Sequence, residues 1–227
     1  MVSNTFIILT ARNEADRLGA TLQALAAAFP GAPVWVGDDG SNDGTAQIAL
    51  AGGAAVQRSE HCIGKGGAAT LTAQRALESL RPPAESIAVL CDGDLGSSAT
   101  ELAQLLKPLE RGEADLAVAV FAARVGGGLG LAVGFARWAI RRRCGLRLQA
   151  PISGQRALRV ATLQDVLPFA RGFGMEIGMT IDAARAGHRV CEVALDLEHR
   201  ASGRTFAGFA HRGRQLLDFI RVYRERA

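Results

Sequence analysis

Through the first half of the chain, short apolar runs alternate with longer stretches whose apolar positions recur at helical spacing. Residues 5–9, 33–37, 54–57, 86–91 and 115–121 are brief and rich in Ile, Val and Ala, which predicts strands. Residues 14–29, 45–51, 66–80 and 100–111 carry the helical pattern. Strands separated by helix-length segments need crossover connections, so the expectation is an α/β fold with a mostly parallel central sheet flanked by helices. In open sheets of this kind ligands bind beyond the carboxyl ends of the strands, which directs attention to the residues just after each strand.

The second half is less regular. It reads as a glycine-rich turn at 126–130, a basic amphipathic stretch at 131–148 and a strand around 152–160. A helix at 175–186, a strand at 190–197 and a long amphipathic helix at 206–224 follow. No repeat or linker interrupts the 227 residues, so one domain is expected, with residues 1–120 and 121–227 as two faces of it.

Charge changes the picture further. The net charge is +4, yet residues 1–120 hold 8 Lys and Arg against 14 Asp and Glu, while residues 121–227 hold 18 against 8. Only Lys65 and Lys107 are lysines, so nearly every cation is a planar guanidinium suited to phosphate or carboxylate. Genomic base composition gives the same bias as selection for anion binding. The 48% hydrophobic content excludes a disordered or fibrous chain. Cys62, Cys91, Cys144 and Cys191 stand apart with no paired spacing, which predicts reduced thiols. The first nine residues lack a basic leader and read as a strand, and no apolar run reaches the ~20 residues of a spanning helix. A cytoplasmic protein is expected. The basic stretches at 137–147 and near the C-terminus add a peripheral contact with the anionic inner face of a membrane. A solvated charged face explains the same pattern.

Past the second strand comes Gly37-Asp38-Asp39-Gly40-Ser41-Asn42-Asp43-Gly44-Thr45. A capped turn accounts for Gly40, Ser41, Asp43 and Gly44, but leaves two adjacent acids with nothing to bind. Carboxylates there accept from a nucleobase N–H or a ribose hydroxyl. Past the fourth strand, Cys91-Asp92-Gly93-Asp94-Leu95 spaces two carboxylates so that they converge beyond the sheet edge. Two hard oxygen ligands suit Mg2+ or Mn2+ bridging a diphosphate. Gly64-Lys65-Gly66-Gly67 opens a helix, where free N–H groups attract anions, although the spacing of a P-loop is absent. Glu176, in Gly172-Phe173-Gly174-Met175-Glu176, is either a general base or a first-turn acid favoured by the helix dipole. His61 and His188 read as surface or packing residues, whereas His199 precedes Arg200 at the end of the last strand.

Taken in order, Asn13-Glu14, the 38–45 turn, Gly64-Lys65-Gly66, Asp92-Gly93-Asp94, Ser153-Gly154-Gln155-Arg156 and the segment from Glu192 to Arg200 resemble family 2 glycosyltransferases of the GT-A fold. Within that family they are most similar to the dolichyl- or polyprenyl-phosphate sugar synthases. The resemblance implies an inverting, metal-dependent transfer of sugar from a nucleoside-diphosphate sugar to an anionic acceptor, such as polyprenyl phosphate, or to a cell-envelope glycan precursor. It implies no nucleic-acid partner.

Carried over by position, Asn13, Glu14, Asp38, Asp39 and Lys65 would line the nucleotide, and Asp92 and Asp94 would hold Mg2+ or Mn2+. Ser153, Gly154, Arg156 and Arg200 would face the acceptor, with Asp94, Glu176 and Arg200 nearest the reaction. Thr10 replaces a proline usual in the family, a change expected to matter little. Ala150 replaces an acid, and Gly203-Arg204-Thr205 replaces Gly-x-Ser-Lys, so the departures concern the acceptor. Two other readings stand beside this one. A sugar-1-phosphate nucleotidyltransferase would want a Gly- and Arg-rich loop after the first strand, which Thr10-Ala11-Arg12-Asn13-Glu14 is not. A non-catalytic binding module for nucleotide sugar or envelope lipid has less need of Asp92 and Asp94.

Overall fold

A computed structural model of the chain describes residues 4–121, 131–197 and 217–226. Seven strands, β1 (Thr5–Ala11), β2 (Val34–Asp38), β3 (Ala55–Arg58), β4 (Ile87–Asp92), β5 (Leu116–Phe121), β6 (Arg156–Arg159) and β7 (Val190–Leu195), form one sheet in the order β3-β2-β1-β4-β6-β5-β7. All neighbours pair in parallel except β6, which runs antiparallel to both β4 and β5. This is the α/β fold with a mostly parallel central sheet that the alternation of patterns predicts.

Burial on both faces explains why the central strands are continuously apolar. Along β1, Ile7 and Leu9 join the layer built with α1 (Leu18–Ala28) and α2 (Thr45–Ala51), while Phe6 and Ile8 join the layer built with α3 (Lys65–Leu80). The second layer also takes α6 (Val160–Val166) and α7 (Met175–Arg185). A third cluster joins Ala136 and Ile140 of α5 (Leu131–Cys144), Ile177 and Ile181 of α7, and Phe219 and Val222 of a C-terminal helix spanning 217–225.

Several boundaries differ from the pattern. The helix expected at 14–29 begins at Leu18, because Glu14 O accepts both Arg17 N and Leu18 N in a preceding turn. The helix expected at 100–111 is a 3₁₀ segment, Gly96–Leu105, followed by α4 (Leu106–Glu110). Pro108 has no N–H to donate to Gln104 and its ring would meet that carbonyl in a continuous helix, whereas it is tolerated in the first turn of α4. The strand expected at 152–160 is confined to β6, and α6, unforeseen from the pattern, starts directly at Val160. Of the helix expected at 206–224, residues 217–224 are helical, and the turn at 126–130 lies outside the described residues. Among the described residues no helix is long and apolar enough to cross a membrane.

Candidate active site

Strand register brings the motifs together. Ala11 pairs with Asp38 on one side of β1, and Thr10 pairs with Asp92 on the other, so both acids stand at the carboxyl edge of the sheet.

The loop after β1 and the loop after β2 are stitched to one another. Asn13, at φ 55°, donates its backbone N–H to Ser41 Oγ (2.9 Å) and accepts Asn42 N–H on its Oδ1 (3.0 Å). Asparagine is one of the few residues that adopts this left-handed geometry at small cost. Glu14 N–H donates to Thr45 Oγ1 at 3.0 Å. Asp43 accepts from Thr45 N, Thr45 Oγ1 and Ala15 N, and the Thr45 hydroxyl foremost holds its carboxyl below the usual range. This part of the turn is a cap.

The two central acids differ. Asp39 accepts from the backbone N–H groups of Ile63 (2.6 Å) and Gly64 (3.0 Å) and from the Cys62 thiol (3.2 Å). Its carboxylate therefore fixes the approach to α3 and the position of Lys65. Asp38 is fully buried; its Oδ1 accepts Ser41 N–H at 2.9 Å and its Oδ2 lies 3.4 Å from Arg58 Nε. Among the described residues Oδ2 accepts no hydrogen bond, an unsatisfied demand that a ligand N–H or O–H would meet.

At the β4 end, Lys65 Nζ lies 2.7 Å from Asp92 Oδ1 and 2.9 Å from Glu176 Oε1. Burial works against the ammonium charge, but Asp92 and then Glu176 outweigh it and hold its pKa above the ordinary lysine value. Asp92 also accepts from Thr10 Oγ1 (3.3 Å) and Gln155 Nε2 (3.0 Å). Gly154 lies against this group: a Cβ there would fall 2.3 Å from Lys65 Nζ and 2.8 Å from Asp92 Oδ2. Asp94 is buried, and its carbonyl accepts Arg17 Nη1 at 2.9 Å. Thr21 of α1 clasps the same turn, donating to Gly93 O (2.8 Å) and accepting Gly96 N–H (2.9 Å).

Lys65, Asp92, Gly154 and Glu176 thus meet at one place, and Asn13, Glu14, Asp38 and Asp39 share the adjoining loops. Arg156 follows Gln155 and lies close enough to Glu176 to feel its charge, but its side chain is turned inward. It is fully buried in β6, its guanidinium donating to Ser153 O (2.8 Å), Thr180 Oγ1 (3.0 Å) and Pro151 O (3.3 Å). Burial pushes its pKa down to about 10, still a cation at neutral pH, and its described partners are two carbonyls and a hydroxyl of the protein itself. Ser153 is buried beside it, and its Oγ has no hydrogen-bond partner among the described residues. Arg200 and His199 lie outside the described residues. His188 bridges Thr162 and Asp165, a packing role. Thr10, Arg17, Thr21 and Gln155 were not expected here. Gln155 stood in the Ser153-Gly154-Gln155-Arg156 motif and Thr10 near the end of the first strand, but neither carried a role of its own.

A sheet in this order, with paired acids beyond β4 and a lysine helix beside them, defines a nucleotide-diphosphosugar transferase of the GT-A class. A family model described as glycosyl transferase family 2 matches residues 6–147, and the chain belongs to that family. No curated protein matches it. Glucosyl-3-phosphoglycerate synthase from Mycobacterium tuberculosis, in complex with Mn2+, uridine-diphosphate-glucose and phosphoglyceric acid, is 25% identical, with 96% of this chain and 79% of that chain covered and a TM-score of 0.71. The same enzyme with Mg2+ and uridine diphosphate gives 26% identity, 96% and 78% coverage and a TM-score of 0.73. A further mycobacterial protein is 28% identical, with 98% and 74% covered and a TM-score of 0.76.

Proposed function

We propose that the chain transfers a sugar from a uridine-diphosphate sugar to a phosphate-bearing acceptor, with inversion at the anomeric carbon. The observation that carries this is the joining, at the carboxyl edge, of Lys65, Asp92 and Glu176 with the Asp38 loop. Asp38, with its unsatisfied Oδ2, and Glu14 would receive the nucleoside. Asp92 and Asp94 are hard oxygen donors without a third acid, His or Cys ligand among the described residues. This set fits Mg2+ or Mn2+, which takes one or two protein carboxylates and leaves positions for phosphate and water. Bound there, the ion supplies positive charge to the diphosphate leaving group.

Glu176 is bound to Lys65, and its role in this reading is to fix that ammonium beside Asp92. An acceptor that attacks through a phosphate oxygen needs no base, since that oxygen is already ionised near neutral pH, whereas one that attacks through a hydroxyl passes its proton to a carboxylate, for which Glu176 is the candidate. The phosphate-bearing ligands of the M. tuberculosis enzyme, phosphoglyceric acid and glycerol 3-phosphate, support the acceptor class. The excess of arginine in the second half supports it too, and extends it to a lipid phosphate met at an anionic membrane surface.

Calorimetry with uridine diphosphate and its sugars, with and without Mn2+, tests the donor. Product analysis with 3-phosphoglycerate, glycerol 3-phosphate and polyprenyl phosphate then tests the acceptor. Metal-dependent donor binding, and turnover lost in Asp94→Ala with its melting temperature retained, are expected. Full activity of Asp94→Ala in chelator would sink the metal assignment, and turnover only with phosphate-free acceptors would sink the acceptor class.

A further inference from the structure

A cavity of about 310 Å3 opens between α5 and the segment that follows it, lined by Gly134, Arg137, Trp138, Arg141, Arg147 and Leu148. None of these residues belongs to the site described above. Among the described residues three guanidiniums and no carboxylate line this space, and none of the three forms an ion pair. Like charges that line one space repel one another, a cost that an anion held between them reduces.

The cavity is also built rather than incidental. Arg137 donates to Gln149 O, tying the helix to the opposite wall. Glu192 accepts Gln149 N–H (2.8 Å) and Ala150 N–H (2.7 Å), which fixes the stretch that follows Arg147 and Leu148. Trp138 is held by Phe135 and Tyr223, with ring centroids 5.5 and 4.8 Å away, yet stays 43% exposed. The neighbouring Arg143 shows the contrast: it lies 3.8 Å over the Tyr223 ring and donates to Tyr223 O, so it is committed to packing. The run Arg141-Arg142-Arg143 is therefore not one basic stripe. Arg141 turns into the cavity, Arg142 stays outside it, and Arg143 faces the C-terminal helix.

We infer that this cavity is a second binding pocket, for a phosphate-bearing anion whose apolar or planar portion packs on Trp138 and Leu148. Guanidinium forks bind phosphate oxygens in pairs, and Arg141 and Arg147, with the N–H groups that Arg137 does not give to Gln149 O, suit a phosphate monoester or diphosphate group. The same chemistry is presented by a free phosphorylated metabolite and by a lipid headgroup.

The test uses the full chain in chelator, which removes metal-dependent binding at the donor site. Inorganic pyrophosphate is titrated in one arm, and vesicles of phosphatidic acid or of phosphatidylcholine in the other, with Trp138 fluorescence and calorimetry as readouts. Wild type should bind pyrophosphate or phosphatidic acid, but not phosphatidylcholine, and should bind more weakly as salt rises. Arg141→Ala with Arg147→Ala should weaken binding about a hundredfold, each charge-assisted contact accounting for about tenfold. Arg142→Ala should bind as wild type, and Trp138→Phe should lose the fluorescence change while keeping the heat. Binding of pyrophosphate assigns the pocket to free phosphate compounds, and binding of phosphatidic acid alone assigns it to a headgroup. Equal binding by wild type and the double arginine variant, or binding by neither probe, overturns the inference.

Discussion

At the scale of single residues, the site turns on one ammonium shared by two carboxylates. Removing it in Lys65→Met leaves Asp92 and Glu176 opposed in a largely buried place. The expected cost is roughly 3 kcal/mol of stability, read by denaturant unfolding, and a hundredfold or greater loss of turnover. Because the folded pKa of Lys65 lies above its ordinary value of 10.5, its contribution to stability is complete below about pH 10.5 and declines only as pH rises beyond that. An unfolding series from pH 6 to 9 should therefore show no loss traceable to this group. Gly154→Ala tests the same crowding from the other side. Gly154 has no left-handed backbone to strain, so the damage of an added Cβ should fall on Lys65 and Asp92. Turnover should drop at least tenfold while the melting temperature shifts by only a few degrees; an unchanged rate would show that the contact relaxes freely. Asp38, Lys65, Asp92 and Glu176 were each legible in the sequence as charged residues at element ends. Their grouping in one site rested on the family resemblance and not on any local pattern, and the contact that holds Asp92 was not legible at all, because Gln155 lies 63 residues away from it.

At the scale of elements, α1 and the β5–β7 pair do work that periodicity does not reveal. The amphipathic pattern makes α1 a cover for the sheet, yet buried Thr21 on that helix is what closes the Gly93–Gly96 turn. Thr21→Val keeps the shape and removes both hydrogen bonds, so about 1–3 kcal/mol of stability should be lost and Mn2+ titration should show weaker binding. Asp115, at the start of β5, accepts Nε and Nη2 of Arg189, each at 2.9 Å, just before β7. The Arg189 side chain foremost lowers the Asp115 pKa from 3.8 to about 2, against the opposing effect of burial. A depressed carboxyl stabilises the fold above its unfolded pKa and loses that contribution as pH falls through the folded one. Wild type should therefore lose stability between about pH 4 and pH 2, and Asp115→Asn should flatten that part of the profile. Strand positions were readable because apolar runs buried on two faces leave a strong trace. The 3₁₀ segment and α6 were not, since one follows from a single proline and the other from a strand ending four residues after it begins.

At the scale of the whole molecule, alternation along the chain was enough to foretell a mostly parallel sheet, but not the reversed strand within it. β6 opens on a buried arginine, a residue that periodicity assigns to the surface; its donors are met by the carbonyls of Ser153 and Pro151 in the segment just before the strand and by Thr180 of α7, 24 residues on. Arg156→Met should test this burial: replacing a fully hydrogen-bonded guanidinium leaves those acceptors without donors, and a loss of about 2–4 kcal/mol is expected in calorimetric unfolding. The reversal has a further effect. Because β6 runs against its neighbours, the segment entering it, Ser153 to Gln155, arrives at the edge where the other strands leave. β4 and β5 have no direct pairing and are joined only through β6. During synthesis both are complete well before residue 156 exists, so each waits with an open edge, and Asp92 waits without Gln155. Between β4 and β5 the sheet is thus closed by one four-residue strand that comes late in the chain. In refolding followed by pulsed hydrogen exchange, the amides of β4 and β5 that face β6 should become protected in the same step as β6 itself, after those of β1 and β2.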